Sequence, residues 1–330
     1  ATSIAKEVGI ITSNNDIVLS SSDLERLSDN ELKKIIPNLK VVSRALPEDK
    51  KRLVMLSKEL GLVTGMTGDG VNDSIALKKA DVSFAMGSGT EVSKEASDIV
   101  IIDDNILSIS RAILYGRTTF KNIRKFIIFQ LTVNISAIML ALIGPFIGVP
   151  SPITVLQMLW INMVMDTLAG LAFSYEVPRI EYMKEPPKKK EENIINKYMF
   201  NEIIATSMYT LIISLLFLKL PFIQYIISYD HLMTAFFSLF IFIAVFNSFN
   251  ARTHRLNILA HLKENKVFIL IIIFIIIVQI IIIYSGITLF QTKPLYIKEL
   301  IFILVLSLSI IPFDFLRKYI SKKLRGDFGV

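Results

Sequence analysis

Six stretches of mostly apolar residues dominate what this chain can fold into: 126–148, 153–173, 199–220, 231–250, 267–290 and 296–316. Each is long enough to cross a hydrocarbon core of about 30 Å as a helix rising about 1.5 Å per residue. Inside a bilayer no water satisfies backbone N–H and C=O groups, so a crossing segment is either helical or part of a closed barrel. These runs are continuously apolar and do not alternate with polar residues, which selects helices. Residues 113–330 are therefore expected to form a stalk and an all-α membrane domain of six transmembrane helices. Hydrophobic residues make up 52% of the 330, but they crowd into the later part, and 1–112 reads as a soluble domain.

The links between the apolar stretches sort by charge. Segment 175–198 carries Arg179, Lys184, Lys188, Lys189, Lys190 and Lys197. Segment 251–266 carries Arg252, Arg255, Lys263 and Lys266, and the tail carries Arg317, Lys318, Lys322, Lys323 and Arg325. The alternate links hold only Lys293 and Lys298, so fifteen bases stand against two. The positive-inside rule then predicts that the soluble domain, the basic links and the carboxyl terminus are cytoplasmic. The net charge of +7 has the same origin. Bases flanking apolar spans fit a lipid bilayer as partner and argue against nucleic acid. Basic juxtamembrane runs such as 186–190 also attract anionic lipid.

Several classes are excluded. With no cysteine there is no disulfide framework, thiolate metal site or cysteine nucleophile. His231, His254 and His261 have no ligand spacing. Residues 1–10 lack the basic start and apolar core of a secretion signal.

Within 1–112, short apolar runs at 41–45, 63–67, 82–85 and 99–103 read as buried parallel strands, alternating with helical patterns at 47–60, 73–80, 91–97 and 105–115. The first of these helices opens on Pro47-Glu48-Asp49 and stops before Gly61. This alternation predicts an α/β, doubly wound sheet with ligands at the carboxyl ends of its strands. Thr67-Gly68-Asp69-Gly70 occupies such an end. Its glycines permit a tight turn, Asp69 offers the oxygen that Mg²⁺ requires, and Asn72 and Asp73 open the next helix. Lys50 is a cation placed to neutralise a transferring phosphoryl group. A plain Gly-Asp turn and a solvated lysine face are the alternatives.

Asp166 is the only charged residue between Phe126 and Phe173. An aspartate at mid-bilayer costs about 2.5–3.5 kcal/mol on insertion scales, which makes it a functional-site candidate. Asn162 lies four residues earlier, hence on the same helical face, and Gln130 and Asn134 repeat that spacing on the preceding helix. Together they would make an oxygen-rich pocket for a hard cation. Interhelical hydrogen bonding accounts for Gln130, and for Asn134 at need, but not for Asp166.

At these residues the chain resembles the P-type cation-transporting ATPases, and among them the plasma-membrane type of calcium pump. Thr67-Gly68-Asp69-Gly70-Val71-Asn72-Asp73 is similar to the family's hinge motif, and Gly89-Thr90-Glu91-Val92 with Lys94-Glu95-Ala96-Ser97-Asp98-Ile99 to the segment after it. Gln130-Leu131-Thr132-Val133-Asn134 and Gln157-Met158-Leu159-Trp160-Ile161-Asn162, then Met165-Asp166-Thr167-Leu168-Ala169, resemble its fifth and sixth membrane helices. Phe246-Asn247-Ser248-Phe249-Asn250-Ala251-Arg252 resembles the end of the eighth.

The resemblance implies that 1–112 is the carboxyl-terminal part of a haloacid-dehalogenase-like, Rossmannoid phosphorylation domain. Asp69 would be the Mg²⁺ ligand, supported by Asn72 and Asp73, with Thr67, Gly68 and Gly70 around the phosphate and Lys50 contacting the phosphorylated aspartate. Asn134, Asn162 and Asp166 would hold the transported Ca²⁺. The cofactors implied are Mg²⁺ and ATP, the location the cell membrane, and the counter-ion H⁺. Ser74-Ile75 stands where the family has Ala-Pro. Ala137 and Ala244 stand where two-ion pumps carry acids, which implies one Ca²⁺ per cycle. The phosphorylated aspartate, the nucleotide-binding and actuator domains and the first four membrane helices are not in these residues. The chain therefore reads as the carboxyl-terminal part of a pump, inactive alone and needing that amino-terminal part as partner. A pump for Na⁺, K⁺ or H⁺, and a non-catalytic membrane protein, remain the alternative readings.

Overall fold

The structure, a computed structural model, describes residues 1–149, 152–189, 191–286 and 288–325. Lys190 of the basic link, positions 150 and 151 of the link at 149–152, and Ile287 of the expected fifth span lie outside the described residues. The chain divides into two compact units, Ala1–Tyr115 with Ile180–Glu192, and Gly116–Arg179 with Asn193–Val330.

The first unit runs α1 (Thr2–Glu7), β1 (Ile17–Ser20), α2 (Ser21–Arg26), α3 (Asp29–Ile35), β2 (Leu39–Ser43) and α4 (Pro47–Glu59). It continues with β3 (Gly65–Gly68), α5 (Ser74–Lys79), β4 (Val82–Met86), α6 (Glu91–Ala96) and β5 (Ile99–Ile101). Ser20 and Ser28 each close a capping box, accepting from the N3 amide while the N3 acid returns to the cap amide. In α4 the missing N–H of Pro47 costs nothing at N1, and Gly61 turns the chain out at φ +75°. Leu24, Leu32 and Leu56 from α2, α3 and α4 form a buried cluster.

One doubly wound sheet was expected; among the described residues there are two parallel sheets, β1-β2 and β3-β4-β5. The α4 crossover leads from β2 to β3 without pairing them, so each keeps one edge unpaired. Strand β1 was not anticipated. It is four residues long and follows the polar turn in which the Asp16 carboxylate accepts from the Thr12 and Ser13 amides at 2.7 and 2.8 Å. Strand β2 also ends earlier than its apolar run, because Arg44 turns it out at φ +57°.

Beyond β5 the chain is helical. Helix α7 (Ile106–Ile143) unites the helix expected at 105–115 with the first expected span. Four bases at 117, 121, 124 and 125 interrupt the hydropathy there, but Lys and Arg are good helix formers and no proline intervenes. Then come α8 (Val155–Leu159), a π-helical segment Trp160–Met165, α9 (Asp166–Ser174), α10 (Lys197–Lys219) and α11 (Pro221–Ile226). The last are α12 (Leu232–Arg252), α13 (Lys266–Tyr284), α14 (Ile297–Leu308) and α15 (Ile310–Arg325). The sixth expected span breaks at Ser309 because Pro312 has no N–H for the Leu308 carbonyl.

Among the described residues six helical stretches are long and apolar enough to cross a membrane, and the protein is of multi-pass membrane type. Helix α12 is their axis, with 83% of its apolar window buried against 33–50% for the other five. Its phenylalanines 236, 237, 240 and 242 pack on α10, α13 and α14.

Candidate functional sites

The first unit gathers its candidate residues at the carboxyl end of β3. Gly68 closes the strand, Asp69-Gly70 turns, Val71–Asp73 make one 3₁₀ turn, and α5 follows. The Asp69 carbonyl is pinned by the Thr90 amide at 2.9 Å and the Ser93 hydroxyl at 3.2 Å, which leaves its carboxylate facing solvent. Lys50 donates from α4 to Asp73 Oδ1 at 2.6 Å, and Asp73 is buried. Two glycines are sterically required. A Cβ on Gly68 would lie 2.4 Å from the Asp73 Cβ, and one on Gly89 would lie 2.9 Å from the Asp69 carbonyl oxygen. Thr67 and Asn72 present exposed side chains at the same end.

This donor set fits Mg²⁺. Two carboxylates stand on one short turn, one of them with an oxygen already neutralised by Lys50, and no cluster of three or more His, Cys, Asp or Glu occurs among the described residues. Mg²⁺ characteristically takes one or two carboxylates and completes its octahedron with water and phosphate.

In the second unit Asp166 is the first residue of α9, directly after the π-helical segment. Asp166 is 3% exposed, and neither carboxylate oxygen has a hydrogen-bond partner among the described residues. Gln130 of α7 approaches it without completing a hydrogen bond. Buried carboxylates without partners are costly, and native proteins keep them where a ligand supplies the missing interaction. Asn134 is half-buried and Asn162 is exposed. Asn162 and Asp166 therefore differ in burial although they lie four apart, Asn162 within the π-helical segment and Asp166 directly after it. Next to Ala244, a small cavity is lined by Thr132, Ser136, Thr210 and Asn247, and no carboxylate borders it.

A family model described as cation transporting ATPase, C-terminus, matches residues 150–320, which include Asp166 and most of the membrane helices. The chain belongs to this family. It is 39% identical over 300 residues to calcium-transporting ATPase 2 of Schizosaccharomyces pombe, covering 89% of this chain and 23% of that protein. To calcium-transporting ATPase 7, plasma membrane-type, of Oryza sativa subsp. japonica it is 38% identical over 275 residues, covering 82% and 27%. Calcium-transporting ATPase 4, plasma membrane-type, of Arabidopsis thaliana is 38% identical over 279 residues, covering 81% and 26%. The chain thus spans between 23% and 31% of the length of the curated relatives it matches.

Two buried polar clusters of this cation-transporting ATPase chain escaped the sequence reading. Glu176, just past α9, accepts from Lys125, Arg252 and Asn265 at 3.3, 3.3 and 3.0 Å, with Arg179 at 3.7 Å. Burial pushes its carboxyl up, but Lys125, Asn265 and Arg252 outweigh that and hold it below the ordinary carboxylate value. The second cluster joins Glu202 of α10 to Arg317 of α15 at 3.0 Å, and Asp314 to Lys318 at 2.7 Å. A charged residue inside the expected span 199–220, among Thr206, Ser207, Thr210 and Ser214 at helical spacing, was the available signal for Glu202.

His254 borders this second cluster with Nδ1 3.8 Å from Glu202. Burial, and after it the cations of Lys318, Lys125, Arg317 and Lys121, push its pKa down to about 3 from the ordinary imidazole value of about 6.5. The unfolded chain therefore takes up the proton first as pH falls. Stability contributed by neutral His254 is complete above about 6.5 and is lost between there and about 3. His254→Gln is expected to flatten the acid arm of a melting-temperature-against-pH profile over that window; an unchanged slope between pH 6.5 and 4 would count against it.

Proposed function

We propose that the chain is the carboxyl-terminal part of an ATP-driven pump that exports Ca²⁺ from the cytoplasm. The observation that carries this reading is Asp166, a carboxylate buried in a helical bundle with no hydrogen-bond partner for either oxygen among the described residues. A carboxylate so placed suits a cation. Gln130, Asn134 and Asn162 supply neutral oxygens from the same two helices, which suits a hard ion in a site completed by helices outside this chain. The similar proteins named as calcium-transporting ATPases support Ca²⁺ over a monovalent ion.

The first unit supports phosphoryl transfer at a haloacid-dehalogenase-like site. Mg²⁺ bound at Asp69 would neutralise phosphate charge. Lys50, held by Asp73, adds a fixed positive charge, while Asn72 and the backbone at Gly68 and Gly70 leave room for phosphate oxygens. The run Asp-Lys-Thr-Gly-Thr does not occur in these 330 residues, and on this reading the phosphorylated aspartate and the ATP-binding domain would be supplied from outside them. The unpaired edges of β2 and β3 are places where its strands can join. Ca²⁺ bound from the cytoplasm would license phosphorylation, phosphorylation would open the site outward, and protons would return on the carboxylate. The fifteen-to-two placement of bases supports a cytoplasmic first unit and carboxyl terminus.

The test is ATP-dependent uptake of Ca²⁺ into inside-out vesicles by the polypeptide that carries this chain. Uptake of one Ca²⁺ per phosphorylated pump is expected, because Ala137 and Ala244 offer no carboxylate for a second. Saturable binding of two ions overturns the stoichiometry. Transport of Na⁺ or K⁺ without Ca²⁺ overturns the ion.

A further inference from the structure

The densest buried polar junction in the second unit sits where no ion or phosphate contact has been placed. Glu176 follows α9 by two residues, its side chain is 3% exposed, and it gathers groups from three other helices. Lys125 comes from α7, Arg252 ends α12, and Asn265 caps α13 by accepting from the Phe268 amide at 2.9 Å. The open carbonyls at the end of α9 are claimed by the same neighbours. Asn122 of α7 donates to the Ser174 and Glu176 carbonyls at 3.5 and 3.3 Å, and Asn265 donates to Ala172 at 3.1 Å. Beside the junction, rings from the same four helices pack in series, Phe129 on Phe173, Phe173 on Phe268, and Phe268 on Phe249, with centroids 5.2–5.9 Å apart.

The two ends of α9 are therefore mechanically unlike. At its carboxyl end it is fixed to α7 by a buried ion pair, amide bonds and aromatic packing. At its amino end, about 12 Å away at 1.5 Å per residue, it meets the π-helical segment Trp160–Met165 with Asp166 at the joint. A π turn is poorly bonded and is where a helix yields. A displacement of α7, one unbroken helix from Ile106 to Ile143, would carry α9 with it and collect the deformation at the π segment, beside Asp166.

We infer that Glu176 is a positioning residue of the transport cycle, the tie through which movement of α7 is passed to α9 and so to the ion carboxylate. This rests on the pump reading given above. The Lys125 ammonium has Glu176 as its one hydrogen-bond partner among the described residues, so the pair acts as a unit. Removing Glu176 alone leaves Lys125 and Arg252 as buried cations without their carboxylate, whereas removing Lys125 with it leaves only Arg252, which keeps its bonds to the Ile258 and Ala260 carbonyls.

The experiment uses the whole pump in sealed vesicles and reads Ca²⁺ moved per ATP hydrolysed, together with the Ca²⁺ concentration that half-activates phosphorylation. The set comprises Glu176→Gln, Glu176→Asp, and Lys125→Gln combined with Glu176→Gln, which takes out the Lys125 charge together with the carboxylate. Glu264→Gln is the control, an exposed carboxylate whose one ion pair among the described residues is with His261. Glu176→Gln and the double variant are expected to lower the transport ratio about 2- to 30-fold, the size of coupling carried by single residues. Half-activation by Ca²⁺ stays put, and Glu176→Asp recovers part of the ratio. A structural role alone would reduce uptake and hydrolysis in equal proportion; that result, or an unchanged ratio, overturns the inference. ATP hydrolysis by the unsubstituted pump that ignores Ca²⁺ overturns the pump reading itself, and the inference with it.

Discussion

Asp166→Asn in the complete pump is expected to abolish Ca²⁺-dependent phosphorylation by ATP while making the ion-free protein harder to melt. The two effects have one cause. Asp166 is 3% exposed and both its oxygens lack partners, so in the absence of an ion it is a net cost to the fold. Asparagine keeps the shape and the approach to Gln130 but carries no charge. Relieving the cost should raise the melting temperature in chelator by about 2–4 °C for each kcal/mol recovered. The same change removes the one carboxylate offered to the ion. Taking one member from a buried charge pair costs about 3–5 kcal/mol, which is roughly a 10²- to 4 × 10³-fold loss of affinity. Phosphorylation assayed against free Ca²⁺, alongside melting in chelator, checks both arms. Retained Ca²⁺ dependence would remove Asp166 from the site, and a lower melting temperature would mean that its carboxylate has a stabilising partner.

The features legible in the sequence were those that a single long-range physical demand enforces. Six apolar runs had to be helices because hydrocarbon leaves the backbone no alternative, and the six candidate spans follow them. Asp166 stood out because one charge in the 48 residues from Phe126 to Phe173 has no bland explanation. The glycines of the β3 loop were also readable, since a turn that brings Asp73 back over Gly68 leaves no room for a Cβ. Features set by cooperation between distant segments were not legible. Glu176 looked like one more link residue, and its significance comes from Lys125, Arg252 and Asn265, which lie 51, 76 and 89 positions away. The π segment has no signal, because Trp160–Met165 is as apolar as an α-helical stretch would be. The division into two sheets was hidden for a related reason. The period of each strand is local, but which strands pair depends on what lies between β2 and β3.

Gly68→Ala is expected to stop phosphorylation by misplacing a pair of residues it does not itself belong to. The added methyl would sit 2.4 Å from the Asp73 Cβ, 2.8 Å from its Cγ and 2.9 Å from Oδ2, closer than real Cβ contacts come. Asp73 cannot simply swing clear. Its Oδ1 is bonded to Lys50 at 2.6 Å, its amide donates to the Gly70 carbonyl at 3.1 Å, and it starts α5. Relief must come from moving the β3 end away from α5, which shifts Asp69 relative to Lys50 and Asp73. Displacing groups around a transferring phosphoryl by about 1 Å costs on the order of 100-fold in rate. The expected result is a phosphorylation rate lowered by about that factor in a protein that still binds Ca²⁺ with its normal affinity. Gly65→Ala, in the same strand, is the control, because nothing lies within 4 Å of its added carbon. If both variants phosphorylate normally, the Lys50–Asp73 pair is a structural clasp beside the reaction. If Gly68→Ala alone fails, the spacing between Asp69 and that pair sets the phosphoryl site, and the second glycine pairing, Gly89 against the Asp69 carbonyl, becomes the next position at which the same loss should appear.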